Sequence, residues 1–550
     1  MGIKIKDFLL IFTVVLYLEI VFKIILFKDL ISFSTITVSF FSLFLTGVVY
    51  LITTIFNHKA NKVVLLLIAF LLCFFTSAQI IYFRIYDTII SFYSLRQTGN
   101  VMEFRDVIFG LIISNLLILF VTFVPFILLV IFIKMFSFQK TNIISKVITV
   151  IVVLILYVLS IQIMQINKSD LYSTYNLYYN EHSPIMMADK LGIFTTMRID
   201  FIRATFGFNG KDNNYINNSK IEIVIPETIY EANELDIDFD SLINNETDET
   251  IKGMHSYFST IEPTYKNEYT GMFKGKNLIL ILAEALDPIA IDKDITPTLY
   301  KMVNEGFKFN NFYTPLFPVS TSDGEYLQQT SLIPKEGVWS LKESYKNAFP
   351  FTLAHLLSSE GYVTNAYHGH TGTYYNRYLS IPNLGYQTFK ACKMGLNINC
   401  KSWPESDVEV INATLPEYIN NTSFMTYYIS ISGHLNYTRV GNSMVRKNWD
   451  SVSSLPYSDL VKGYMSAQKE LDNALAALIT GLSNAGKLDN TVIAISPDHY
   501  PYGLSLDQIN EKSTYVRDDT FEKHRSTFIV WNNGMKPTTV NTLAGNIDVL

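Results

Sequence analysis

The apolar positions of this chain are unevenly placed. The first third carries long unbroken apolar runs, and the remainder alternates between short apolar runs and polar stretches. Five runs reach the length of about 20 residues that a membrane-spanning helix needs. They cover Phe8–Phe27, Ile31–Phe56, Val63–Phe83, Val107–Ile133 and Val147–Gln165. The first is followed at once by another and lacks a small-residue cleavage pattern, so it reads as a span rather than a leader. From about Lys274 the pattern changes. Asn277–Ala283, Met425–Ser430, Thr491–Ser496 and Thr527–Trp531 are continuous apolar runs of strand length, as expected for strands buried on both faces of a parallel sheet. Between them lie helix candidates. Thr298–Asn304 follows Pro297, Phe351–Glu360 ends at Gly361, and the amphipathic stretch Asp459–Ala485 ends at Gly486. Alternation of this kind predicts an α/β sandwich. Residues 166–270, rich in Asn, Asp and Tyr, read as a short juxtamembrane helix and a linker. The domains are therefore 1–165, 166–270 and 271–550.

Basic residues suggest an orientation. Lys4, Lys6, Lys59, Lys62, Lys134, Lys140 and Lys146 fall on one side of the five spans. The other side holds Lys28 and a longer loop where Arg84, Arg96 and Arg105 are offset by Asp87, Glu103 and Asp106. The positive-inside rule puts the N-terminus in the cytoplasm and everything after the fifth span outside. Glu19 and Lys23 stand four residues apart inside the first span and read as an intrahelical pair. Transport is the weaker reading, because the other spans carry almost no charge at mid-depth. A net charge of −6 argues against nucleic acid as a partner. Of three cysteines, Cys73 lies in an apolar run. Cys392 and Cys400 are free thiols in a cytosol and a disulfide in an oxidising compartment, and the orientation favours the disulfide.

Chemistry gathers where strands end. Glu284 follows the first strand, His368 follows Val363–Tyr367, Gly433-His434 follows the run that begins at Met425, and Asp498-His499 follows Thr491–Ser496. Ligands of open α/β sheets bind at the carboxyl ends of strands, so these residues should converge. Taken singly, each reads as a surface loop residue. Together, oxygen and imidazole ligands suit Mn²⁺, Mg²⁺ or Zn²⁺. A hydroxyl nucleophile is offered by Thr321 in Ser320-Thr321-Ser322-Asp323-Gly324-Glu325. There Ser322 and Glu325 have the spacing of a capping box, and a helix start is also a phosphate-binding element.

These segments together resemble the lipoteichoic acid synthases, polyglycerol-phosphate transferases of the sulfatase and alkaline phosphatase superfamily. The resemblance rests on the five spans, KGKNLILILAEAL, STSDGEY, HGHTGTYYNRY, ISGHLNY, SPDHY and the loop AQIIYFRIYDTIISFYSLRQTGNV. It implies a five-helix membrane domain with an extracellular sulfatase-like α/β domain. It assigns Glu284, Thr321, Asp498 and His499 to one divalent cation, most readily Mn²⁺, with Thr321 also the nucleophile. Arg377 and His434 match residues that hold the phosphoglycerol group, and His368 and Tyr375 join them. Tyr375 stands where the family is expected to carry Trp, and His370 where an acidic residue near the glycerol is expected. The implied reaction moves glycerol phosphate from phosphatidylglycerol to a polyglycerol-phosphate or glycolipid acceptor and releases diacylglycerol. The ending Asn546-Ile547-Asp548-Val549-Leu550 reads as the start of a further helix, so such a chain is expected to continue.

Rival readings divide on sequence features. A phosphoethanolamine transferase tends to carry several disulfides, and one cysteine pair is available here. A sulfatase needs Cys or Ser in a C/S-x-P/A-x-R context, which the segment after Thr321 lacks. A cytosolic phosphoglycerate mutase is disfavoured by five spans. Against a non-catalytic binding protein or transporter stands the full ligand set.

Overall fold

The computed structural model describes residues 4–28, 32–86, 89–92, 112–113, 115–167, 173–180, 183–207, 230–234, 237–335 and 338–550. Part of the loop between the third and fourth spans, and the expected start of the fourth span at Val107, lie outside the described residues. Two compact units emerge. One comprises 1–213 with 277–550, and the other comprises 214–276.

Among the described residues, five helices are long and apolar enough to cross a membrane: Ile5–Phe27, Phe33–Ile52, His58–Arg84, Leu116–Met135 and Ile143–Met164. Helices satisfy their own backbone groups, which lets them sit in lipid. A few buried polar groups join them. Asp7 accepts hydrogen bonds from the backbone N–H groups of Ser137 and Phe138 (3.2 and 3.0 Å). The Tyr17 hydroxyl donates to the Val121 carbonyl at 3.0 Å.

The short juxtamembrane helix expected after the spans is three helices, Thr174–Tyr179, Pro184–Leu191 and Ile193–Phe206. This segment also corrects the reading of Glu19 and Lys23 as an intrahelical pair. The Glu19 carboxylate accepts from the backbone N–H groups of Ile193 and Phe194 (2.8 and 3.1 Å), capping the third helix. Lys23 pairs with Asp189 and donates to Ser34 Oγ at 2.9 Å. A carboxylate at a helix N-terminus and an ammonium beside an aspartate satisfy both charges away from water.

The smaller unit holds two short helices, Phe239–Asn245 and Glu249–Phe258, whose first turns are capped by Asp238 and Asp248.

The described strands of the C-terminal half are, in chain order, β1 (Asn277–Ala283), β2 (Phe307–Phe309), β3 (Phe312–Tyr313), β4 (Val363–Thr371), β5 (Thr388–Cys392), β6 (Gly395–Leu396), β7 (Phe424–Ile429), β8 (Thr491–Pro497), β9 (Arg525–Ser526), β10 (Ile529–Trp531), β11 (Thr538–Val540) and β12 (Ala544–Gly545). Nine of them form one sheet in the order β11-β2-β10-β8-β1-β7-β4-β5-β6, while β12, β3 and β9 form a second, small one. The stretch from β8 to β6 is parallel. β10 runs antiparallel to β8, unlike the parallel placement its apolar run suggests.

β1 lies at the centre, and its side chains alternate between two cores. Ile279, Ile281 and Ala283 pack with Leu471, Leu475 and Leu478 of the helix Asp459–Asn484. Leu280 and Leu282 pack on the other face with Ala354 and Ile381. Each leucine or isoleucine among these contributes about 1.5–3 kcal/mol when fully buried. Burial on both faces is why the strand is apolar from Leu278 to Ala283. The Cys392–Cys400 disulfide is formed, with Cα atoms 5.8 Å apart.

Candidate active site

β1, β4, β7 and β8 are adjacent and parallel, so their carboxyl ends open on one edge of the sheet. Glu284 leaves the end of β1 with its backbone N–H bonded to Ser430 Oγ at 2.9 Å. Asp498 and His499 leave the end of β8, and Asp498 Oδ1 accepts from the N–H groups of Ala285 and His499, each at 2.8 Å. Thr321 is the first residue of the helix Thr321–Thr330. Ser320, just before it, has φ of 47°, a strained conformation for a residue with a Cβ.

Two glycines permit the close approach of these segments. A Cβ on Gly324 would lie 2.4 Å from the Asp498 carbonyl oxygen, and one on Gly433 would lie 2.3 Å from that of Glu284. Any larger residue would push the Thr321 helix off β8, or the His434 loop off β1.

Four of the expected residues meet here. The Thr321 hydroxyl donates to Glu284 Oε2 at 3.2 Å and stands 3.3 Å from His499 Nε2. His499 Nε2 is 3.6 Å from Glu284 Oε1 and 3.1 Å from Asp498 Oδ2. The tautomer follows from the other ring nitrogen. Nδ1–H donates to the Tyr500 carbonyl at 2.9 Å, which leaves a lone pair on Nε2 facing the carboxylates. One ligand atom from each of Glu284, Asp498 and His499 can be chosen so that all lie within 4.8 Å of one another.

The electrostatics of this cluster are unbalanced. Burial, and then the charge of Asp498, holds the Glu284 carboxyl well above its usual range. Asp498 Oδ2 has no hydrogen-bond partner among the described residues. Two buried carboxylates and an imidazole lone pair aimed at one point are the donor set of a divalent cation. The residues therefore fit the metal.

A second group lies beside it. Arg377 opens the helix Arg377–Asn383 just past β4. Its Nε donates to Glu325 Oε2 at 2.9 Å, Nη2 lies in ion-pair contact 2.8 Å from the same oxygen, and Nη1 lies 3.1 Å from His368 Nε2. The Tyr375 ring faces the guanidinium, 5.1 Å from ring centre to Cζ. His368 Nδ1–H donates to the Ile429 carbonyl at 3.0 Å, so both of its ring nitrogens are engaged. Burial first and the Arg377 charge second hold its pKa well below the usual value. His368 thus stands behind Arg377 as a neutral acceptor.

This overturns the capping-box reading of Ser322 and Glu325. Glu325 turns inward to Arg377, and Ser322 Oγ has no partner among the described residues. A guanidinium holds a buried carboxylate more strongly than one backbone N–H does.

His434 lies in the loop after β7. Its Nδ1–H donates to the Leu435 carbonyl at 2.7 Å, and burial pulls its pKa down to about 4. The loop is shaped by Asp407, which accepts from the N–H groups of Ile431 (3.0 Å) and Ser432 (3.3 Å). Trp403 packs edge-on against both His434 and His370, 4.9 and 5.1 Å between ring centres. His370 Nδ1 is bonded to Glu405 Oε1 at 3.0 Å, so a carboxylate does stand at this position, supplied by another loop. Trp339 packs on Tyr375 at 5.5 Å. Reading the sequence missed Glu325, Glu405, Trp403 and Trp339. Only Glu325 lay within a segment singled out, and its spacing pointed to the wrong partner.

Residues 276–550 match the sulfatase family, and the chain belongs to that family. Within it, the chain is similar to lipoteichoic acid synthases. It is 25% identical over 297 residues to lipoteichoic acid synthase 2 of Bacillus subtilis (strain 168), a match covering 52% of this chain and 45% of that protein. To the lipoteichoic acid synthase of Staphylococcus aureus (strain USA300) it is 28% identical over 311 residues, with the same two coverages. The chain spans about half the length of these curated relatives. The crystal structure of the lipoteichoic acid synthase LtaP from Listeria monocytogenes aligns with a TM-score of 0.45 at 26% identity, covering 51% of this chain and 72% of that one.

Proposed function

We propose that this protein is a membrane-anchored phosphoglycerol transferase. It moves glycerol phosphate from phosphatidylglycerol to a polyglycerol-phosphate or glycolipid acceptor. The observation that carries the reading is the Thr321 hydroxyl, held at a helix N-terminus within 3.3 Å of both Glu284 and His499. The similarity to enzymes named lipoteichoic acid synthase supports the substrate class.

Phosphoryl transfer needs an in-line attacker, charge neutralisation on the phosphoryl oxygens and a stabilised leaving oxygen. Thr321 Oγ1 attacks phosphorus, and the bond from phosphorus to the diacylglycerol oxygen breaks. That oxygen takes a proton and diacylglycerol leaves. A terminal hydroxyl of the acceptor then attacks phosphorus, the Thr321 Oγ1–P bond breaks, and the threonine hydroxyl is restored. Glu284, Thr321, Asp498 and His499 would hold the divalent cation, most readily Mn²⁺, with Mg²⁺ and Zn²⁺ as alternatives. When bound, that cation supplies positive charge that makes the hydroxyl a better nucleophile. Arg377 clamps the phosphate, with Tyr375 against its face and His368 behind it. His434, neutral at physiological pH, presents an Nε2 lone pair suited to the proton of a hydroxyl.

In this reading residues 271–550 lie outside the cell. The disulfide between Cys392 and Cys400 supports that side, since such bonds persist in oxidising compartments. A reporter active only in the cytoplasm, fused after Ser169, should be silent.

The function itself is tested with the full chain in detergent, fluorescent phosphatidylglycerol and Mn²⁺. Labelled diacylglycerol is expected. Its absence, or release only from an ethanolamine phospholipid, overturns the reading in favour of none or of a phosphoethanolamine transferase respectively.

A further inference from the structure

The helix that begins with Thr321 carries a second functional side chain one turn later. Glu325 lies four residues on, on the same face, and is fully buried. Its carboxylate accepts from Arg377 Nε and pairs ionically with Nη2, although the two residues are 52 apart in sequence. His368 accepts from Nη1, and the Tyr375 ring covers one face of the guanidinium. The side chain is therefore fixed by a carboxylate, an imidazole and an aromatic plane.

A second buried pair shows what a purely structural brace looks like. Arg517 donates through Nη1 and Nη2 to the two carboxylate oxygens of Asp287, through Nε to Ser513 and through Nη1 again to the Arg525 carbonyl. That accounts for four of its five N–H groups. Among the described residues Arg377 is hydrogen-bonded through two, Nε to Glu325 and Nη1 to His368, with Nη2 in ion-pair contact with Glu325, and so keeps N–H groups to offer on both terminal nitrogens. Two adjacent N–H groups match the spacing of two phosphate oxygens.

We infer that Glu325 is a positioning residue for the transfer reaction. It sets the Arg377 guanidinium relative to Thr321, so that one helix places both the nucleophile and the phosphate clamp. This rests on the transferase reading given above. Glu325 touches neither phosphate nor attacking oxygen in this scheme, and its effect passes through Arg377. Misplacing a clamp by about an ångström costs on the order of a hundredfold in rate.

The test uses the full chain in detergent, with fluorescent phosphatidylglycerol and Mn²⁺. Glu325→Gln keeps the shape and one acceptor but removes the charge. It should lower kcat/KM about tenfold to a hundredfold, mostly through KM. Arg377→Ala should lose more. In the double variant, Glu325→Gln should add no loss beyond about twofold to that of Arg377→Ala, because its only route is gone. The double variant should also melt higher than Arg377→Ala, since it no longer buries an unpaired carboxylate.

Wild-type kcat/KM in Glu325→Gln, or losses that multiply in the double variant, overturn the inference. Should Glu325→Gln alone not fold, methylguanidinium added to Arg377→Ala decides the matter: restored turnover upholds a site held by Glu325, and none overturns it. A wild-type protein without turnover overturns the transferase reading as well, whereas an Arg377→Ala variant as active as wild type overturns the phosphate clamp and with it the positioning role, and leaves the transferase reading standing. An impaired Arg377→Ala beside an unimpaired Glu325→Gln overturns the positioning role alone.

Discussion

The first membrane span and the active centre both bury charge, and they treat it differently. In the span, Glu19 caps a juxtamembrane helix and Lys23 pairs with Asp189, so each charge meets a matching one or a ring of donors. At the end of β1, Glu284 and Asp498 face each other and the lone pair of His499, and none of the three brings a counter-charge. Burying an unpaired ion is expensive, so a matched cluster can persist as scaffold while an unmatched one calls for a ligand. Two other sites grade the contrast. Asp287 is matched by the charge of Arg517, whereas Asp407 is held, among the described residues, by neutral donors.

The largest expected effect strikes the unmatched centre. Thr321→Ala should lower turnover of fluorescent phosphatidylglycerol by about a thousandfold or more and abolish any covalent adduct seen by intact mass, as loss of a nucleophile does. The fold should survive, because one half-buried hydroxyl is removed. Ser322→Ala on the same lipid is the control. If Ser322→Ala is dead and Thr321→Ala active, the wrong hydroxyl has been named, and if both are active the mechanism is wrong.

At the charge-matched site the effect moves to stability. Arg517→Ala strands Asp287, which is fully buried, and should cost about 3–5 kcal/mol in denaturant melts. Manganese content of the folded fraction should be unchanged, and a loss of metal would show that the two sites are not separable.

Asp407 supplies the intermediate case. Burial raises its pKa from 3.8 to about 6, so the folded protein binds a proton there more tightly than the unfolded chain does. Its contribution is full below about pH 4 and is lost as pH rises through about 6, a swing of about 3 kcal/mol. Relative to Asp407→Asn, wild-type stability should decline over that window and run parallel above it. A wild-type advantage that grows with pH would show Asp407 to be paired after all.

The smallest effect sharpens the contrast at the centre itself. Without metal, Asp498→Asn should melt at or above the wild-type temperature, because one of two facing charges is gone. With Mn²⁺ at about a hundredfold above its dissociation constant, wild type should gain about 2.7 kcal/mol and the variant far less. Equal gains would remove Asp498 from the cation site.

What the sequence determined by itself is whatever local pattern encodes. Leu278–Ala283 within β1 must be apolar because the strand is buried on both faces, and that property shows in six consecutive letters. The spans are legible for the same reason, since a bilayer imposes one composition over about 20 residues. Strand ends carry Glu284, Asp498 and His499, so a parallel sheet brings these residues together once its strands are recognised. Pairings across the fold were decided by the tertiary structure alone. Glu325 has the spacing of a cap, yet it binds Arg377, 52 residues away. Asp287 finds Arg517 across 230 residues, and Glu19 meets Ile193 across 174. His370 reaches Glu405 only where β4 ends against another loop. A buried charge takes the strongest partner within about 3 Å, and which partner that is depends on how distant segments pack, which no local spacing records.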